Sequence, residues 1–233
     1  MKSVFRAVLP LCVTLAVMEG VAPTGQAFAQ AGQQAAAMSV PAGAPASTSA
    51  EVEAAPLSSA DREWLQKIEQ VLNRSNTFQA RIQQLDANGR RTTGTVWMKR
   101  PGQMRLAYDA PSPLLLVATD GKVVFRDSKL DQTTVIPIER TPLSLLLRAH
   151  VSLSDGVTVT DFQHAQGLVQ VTLARTSAPG DGTLTLVFHE KPLALRSWSV
   201  VDAQGRQTQV TLFDVHEGAD LPASLFVAPA EPQ

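Results

Sequence analysis

Residues Gly94–Asp127, GTVWMKRPGQMRLAYDAPSPLLLVATDGKVVFRD, decide the fold. Alternate side chains of a strand share a face. Val96, Met98 and Arg100 therefore fall on one face, with Thr95, Trp97 and Lys99 on the other. The next strand sets Met104, Leu106 and Tyr108 against Arg105, Ala107 and Asp109. Asp120-Gly121, between LLLVAT and KVVF, signals a hairpin, because a two-residue turn needs residues that tolerate positive φ. Three or four consecutive antiparallel strands result. With one apolar face and few catalytic groups, they suit the wall of a container better than a reaction centre.

The same pattern extends in both directions. Phe78, Ala80 and Ile82 alternate with Gln79, Arg81 and Gln83, and Asn88-Gly89 marks another hairpin. Strands also fit near 131–138, 157–162, 167–175 and 182–189, and Ala203-Gln204-Gly205 turns the chain between SWSVVD and RQTQVTLFDV. Upstream, Trp64, Leu65, Ile68, Val71 and Leu72 share one helical face. Ser58 or Ser59 can cap that helix, and Asp61 and Glu63 suit its positive end. Thr141 as N-cap and Pro142 at the first helical position predict a short apolar helix running to Arg148. Roughly ten strands and two or three helices make the fold class α+β, with an antiparallel sheet long enough to curl.

The N-terminus divides into two further segments. Residues 1–29 read as a signal peptide: Lys2 and Arg6 precede an apolar run too short to span a bilayer, and Ala27-Phe28-Ala29 offers a cleavage site. Cys12 is the only cysteine, and Leu9-Pro10-Leu11 before it lacks the small residue that lipid attachment needs. The mature chain therefore has no thiol and no disulfide. Residues 30–57 are Ala, Gln, Pro, Ser and Gly with almost no large apolar groups, the composition of a disordered linker. The body, 58–233, has the size of one ordinary domain.

Composition and motifs exclude several functions. A formal net charge of −1 gives no reason to expect nucleic acid. The four histidines are scattered without metal-ligand spacing, and no nucleotide-binding loop or nucleophile elbow is present. Asp86, Asp120, Asp127, Asp131, Asp155, Asp181 and Asp202 lie near chain breaks, as turn residues do. A hydrolase with residues converging in space has no support in the pattern, so neither an enzyme nor a cofactor is expected. If the Val96 face is interior, Arg100 stands at its rim. It can either donate to carbonyls of a covering element or snorkel to water, and the pattern alone favours snorkelling. Met98 and Met104 suit a pocket for varied acyl chains, but equally suit an ordinary core.

The block from Gly94 to Asp127 resembles the LolA family of periplasmic lipoprotein carriers. The shared residues are Gly94, Trp97, Lys99-Arg100-Pro101, Met104, Leu106, Tyr108, Pro111, Val117, Asp120-Gly121-Lys122 and Phe125, followed by Thr141, Pro142, Leu145 and Leu146. The resemblance spans roughly 60–228, its last third in strand character only. It implies an incomplete, strongly curved antiparallel β-barrel closed by a helical lid. Acyl chains would lie against Val96, Met98, Met104, Leu106, Tyr108, Leu143, Leu146 and Leu147. It further implies that Arg100 latches the lid, reversing the reading from pattern alone. The implied partners are acylated lipoproteins, an inner-membrane lipoprotein-releasing ABC transporter and an outer-membrane receptor, with the carrier acting as a monomer in the periplasm. A free-lipid carrier or a lipid-sensing domain of the same fold is the alternative. Positions often aromatic in that family are Met104, Leu106 and Leu143 here, which implies a more aliphatic cavity.

Overall fold

The computed structural model describes residues 53–229. The expected signal peptide, and the expected linker up to residue 52, lie outside them. The order of elements is α1 (Ser59–Asn73), β1 (Thr77–Leu85), β2 (Arg91–Lys99), β3 (Gln103–Tyr108), β4 (Leu114–Thr119), β5 (Lys122–Asp127), β6 (Gln132–Pro137), β7 (Val157–Ala165), β8 (Leu168–Arg175), β9 (Gly182–His189), β10 (Ala194–Asp202) and β11 (Gln207–Glu217). Four 3₁₀ turns accompany them: Ile138–Arg140, Pro142–Leu145, Pro179–Asp181 and Ala223–Phe226.

All eleven strands form one antiparallel sheet in the order β6-β5-β4-β3-β2-β1-β11-β10-β9-β8-β7. Two meanders meet where β1 pairs with β11. The sheet is not closed, since β6 and β7 are its two edges. It is nevertheless curled. Val123 of β5 and Val157 of β7 belong to one buried cluster, although a flat sheet would separate these strands by about 40 Å. This is an incomplete barrel wrapped around a covering helix.

Several local choices explain the strands. Asp120 and Gly121 both take positive φ, as the two-residue turn between β4 and β5 demands. Asp86, Asp127 and Asp202 act as turn residues. Asp86 Oδ1 accepts the N–H groups of Asn88 and Arg90, Asp127 Oδ1 those of Lys129 and Leu130, and Asp202 Oδ1 those of Gln204 and Arg206. Gly94 faces Tyr108 across β2 and β3, and a Cβ at that glycine would meet the Ala107 carbonyl oxygen at 2.4 Å.

Helix α1 opens with a capping box. Ser58 Oγ accepts the Asp61 N–H at 3.1 Å, and Asp61 Oδ2 accepts the Ser58 N–H at 2.8 Å. Its buried face is Leu65, Ile68 and Leu72. The second predicted helix is instead a single 3₁₀ turn, Pro142–Leu145, capped by no side chain. Thr141 Oγ1 donates backwards to Ile138 O at 2.8 Å. The run is too short to offset helix nucleation, and the carbonyls of Leu146 and Leu147 bond to Arg100 and Gly102 instead of continuing a helix.

A second, smaller core lies on the convex face of the sheet. Val117 and Val124, paired across β4 and β5, are buried there, as are Leu221 and Phe226 of the C-terminal segment. Lys99 Nζ donates to Leu221 O at 3.4 Å and Arg105 donates to Leu225 O at 3.3 Å, fastening that segment across the outside.

Candidate functional site: the lidded interior

The concave face carries the residues that the alternation of β2 and β3 selects. Val96, Met98, Met104 and Leu106 are each no more than 3% exposed, and cross-strand register pairs Val96 with Leu106 and Met98 with Met104. Tyr108 lies at the end of this row and donates its hydroxyl to Gln84 Oε1 at 2.7 Å. Burial drives the Tyr108 pKa well above the usual phenol range, and the bond to Gln84 only partly opposes it, so the ring is a neutral wall residue. From the covering side, Leu146 and Leu147 are buried and Leu143 is half-buried against the same cluster.

The other wall comes from the C-terminal meander. Leu173 of β8, Leu184, Leu186 and Phe188 of β9, and Trp198 of β10 are all buried in the same cluster. None of these was among the residues expected to line the interior. The signal was present, since Leu184, Leu186 and Phe188 alternate with polar or smaller residues in TLTLVFH.

Arg100 lies at the end of β2 with its side chain on the concave side and is 8% exposed. Its Nε donates to Leu146 O at 2.9 Å, and its Nη1 donates to Leu72 O. Leu72 is in the last turn of α1, and Leu146 follows the Pro142–Leu145 turn. Leu72 O is one of the carbonyls that the end of α1 leaves without an internal partner, at the negative end of its dipole, and Leu146 O follows the single 3₁₀ turn. One cation on the barrel thus holds both pieces of the lid. The passive, water-facing Arg100 favoured by pattern alone is therefore corrected. Its deciding acceptors, Leu72 O and Leu146 O, are backbone atoms distant in sequence, which strand alternation cannot reveal. Desolvation lowers the Arg100 pKa from its ordinary value, yet the guanidinium keeps its charge.

Helix α1 is also stitched to the loop that follows the second piece of the lid. Asn73 Nδ2 donates to Val151 O at 2.8 Å and Asn73 Oδ1 accepts the Val151 N–H at 2.9 Å. Glu69 Oε1 accepts the Leu153 N–H at 2.6 Å. Ahead of α1, the Ala55 N–H donates to Val159 O at 2.8 Å, and Leu57 packs against the core. An apolar, curved interior under a lid held by a few polar contacts can enclose flexible apolar chains.

A family model described as "Outer membrane lipoprotein carrier protein LolA" matches residues 73–229. The outer-membrane lipoprotein carrier protein of Pseudomonas paraeruginosa is 30% identical over 182 residues, covering 74% of this chain and 86% of its own. Its counterpart in Azotobacter vinelandii is 29% identical over 177 residues, covering 72% and 84%. A crystal structure of a LolA superfamily protein from Nitrosomonas europaea overlaps 72% of this chain and 97% of its own, with 8% identity and a TM-score of 0.42.

Proposed function

This chain belongs to the LolA family of outer-membrane lipoprotein carriers, and from that premise we propose that it is a non-enzymatic periplasmic shuttle. It takes acylated lipoproteins from an inner-membrane releasing ABC transporter and hands them to an outer-membrane receptor. Residues 1–29 direct export and are cleaved near Ala29, and the expected linker, 30–57, is corrected at its end, where Ala55 and Leu57 dock on the carrier domain. The acyl chains lie against Val96, Met98, Met104, Leu106 and Tyr108 on the sheet and Leu143, Leu146 and Leu147 on the lid.

The observation that carries this reading is the pair of bonds from Arg100 to Leu72 O and Leu146 O. Each methylene of an acyl chain gains about 0.8 kcal/mol on leaving water, so transit of a lipidated protein without a carrier is prohibitive. A carrier with unrestrained affinity would not let go. Here the side chains of the interior pack against the lid, so chains enter only when the lid lifts. Closure of the empty lid competes with cargo and lowers net affinity by the closure free energy. Arg100 supplies much of that term.

The test is a release assay with mature protein, residues 30–233, added to spheroplasts that synthesise an outer-membrane-directed lipoprotein. The expected result is a soluble one-to-one complex. Well-folded protein that releases no lipoprotein but carries periplasmic lipid would overturn the lipoprotein reading in favour of a free-lipid carrier.

A further inference from the structure

Helix α1 is fastened to the barrel at a second place. Trp64 lies two turns before Leu72, about 12 Å along the helix axis from the Arg100 contact. Its indole meets the imidazole of His164 on β7, with centroids 4.7 Å apart and planes inclined at 60°. Edge-to-face pairs at this distance attract through their ring quadrupoles. Lys67 Nζ lies 4.7 Å from the Trp64 ring centroid and adds a cation–π contact from within the helix.

The histidine is held in turn. His164 Nε2 is 3.4 Å from Glu190 Oε2. Glu190 is at the turn from β9 to β10, and its N–H donates to Gly167 O in the turn between β7 and β8 at 2.9 Å. The hydrogen bond with His164 is the main cause that holds the Glu190 carboxyl below its ordinary range. A chain of contacts therefore runs from a lid residue to an edge strand and on to the neighbouring turn. His164 is a third exposed, so its contacts lie at the margin of the lid, while Trp64 itself also packs against the core.

We propose that Trp64, His164 and Glu190 form a second latch, which closes the first half of α1 on the β7 edge as Arg100 closes its end. The proposal rests on the carrier reading above. The three are positioning residues that touch the lid and not the acyl chains. Arg100 grips both pieces of the lid, whereas this latch grips α1 alone. Releasing it frees the first half of α1 while the 142–147 segment stays down. Each latch stabilises the empty closed state, so each lowers apparent affinity for acyl chains.

Wild type, Trp64→Ala, His164→Ala, His164→Phe and Arg100→Leu would be titrated with a pyrene-labelled fatty acid. Amide exchange over residues 59–66 would be followed in the same proteins. Both alanine variants should bind the probe about two- to tenfold more tightly, the span expected for loss of one aromatic pair. Exchange in α1 should be faster in both, and His164→Ala should lower the melting temperature by less than Arg100→Leu does. His164→Phe keeps the ring contact and should restore wild-type values. Unchanged affinity and exchange in His164→Ala, beside a tightened Arg100→Leu, would overturn the second latch and leave the carrier reading intact. No binding by wild type or by Arg100→Leu would overturn the carrier reading, and equal exchange rates in wild type and His164→Ala would then still count against the latch.

Discussion

Replacing Arg100 with leucine removes both donors from the lid while keeping an apolar side chain of moderate size. A hydrogen bond to a charged group contributes about 1.5–3 kcal/mol. Two such bonds are partly offset by the desolvation of a guanidinium that is 8% exposed. A net loss of about 2 kcal/mol of closure energy is reasonable, and it makes apparent acyl affinity about 30-fold tighter. In the closed variant the carbonyls of Leu72 and Leu146 lose their donor, which opposes closure, and they find water once the lid lifts. The empty protein should melt about 4–8 °C lower, since closure is part of its folded stability. The variant should load lipoprotein at least as well as wild type and deliver it poorly to outer-membrane vesicles. Affinity that is unchanged or weaker, with an unchanged melting temperature, would refute the idea that Arg100 holds the lid shut.

Other outcomes follow from the same geometry. Gly94→Ala drives a Cβ to 2.4 Å from the Ala107 carbonyl oxygen, so β2 and β3 must shift, and urea denaturation should show a loss of about 1–3 kcal/mol. Phe188→Ala empties a fully buried position opposite the lid and should destabilise by about 3–5 kcal/mol in the same assay. At Asp202, burial pushes the pKa up, but hydrogen bonds from the Arg206 side chain and from the backbone of Arg206 and Gln204 outweigh it, leaving a value below the ordinary 3.8. The ionised group therefore contributes stability that is present above that value and is lost as pH falls through the folded pKa. Asp202→Asn should widen the gap to wild type in urea midpoint at pH 7 and nearly abolish it at strongly acid pH.

The wall of β2 and β3 was legible because strand periodicity is strict. Once Val96 is placed inward, Met98 and Arg100 must follow, and in the structure they do. The hairpins were legible for the same local reason, since Asn88-Gly89 and Asp120-Gly121 lower the energy of tight turns. What periodicity cannot reach is partnership between distant segments. The two carbonyls that hold Arg100, the Glu69 and Asn73 stitches, and the contact of Trp64 with His164 join residues far apart in the chain. The second lid helix was overread because Thr141 and Pro142 carry a helix-start signature, while the carbonyls just beyond them have tertiary partners. The segment over the convex face was missed entirely, because Leu221 and Phe226 follow no period.

The meeting of β1 with β11 has a consequence for how the chain is made. Nine of the ten strand pairings join neighbours in sequence and can form as each hairpin emerges. The exception joins the first strand to the last. As the chain emerges from its N-terminus, β1 can pair with β2 early, but its other edge stays open until nearly the whole domain is available. An exposed edge beside an apolar face invites pairing with a stranger. A chain stalled before residue 207 should therefore bind a holding chaperone, and completion of β11 should end that dependence.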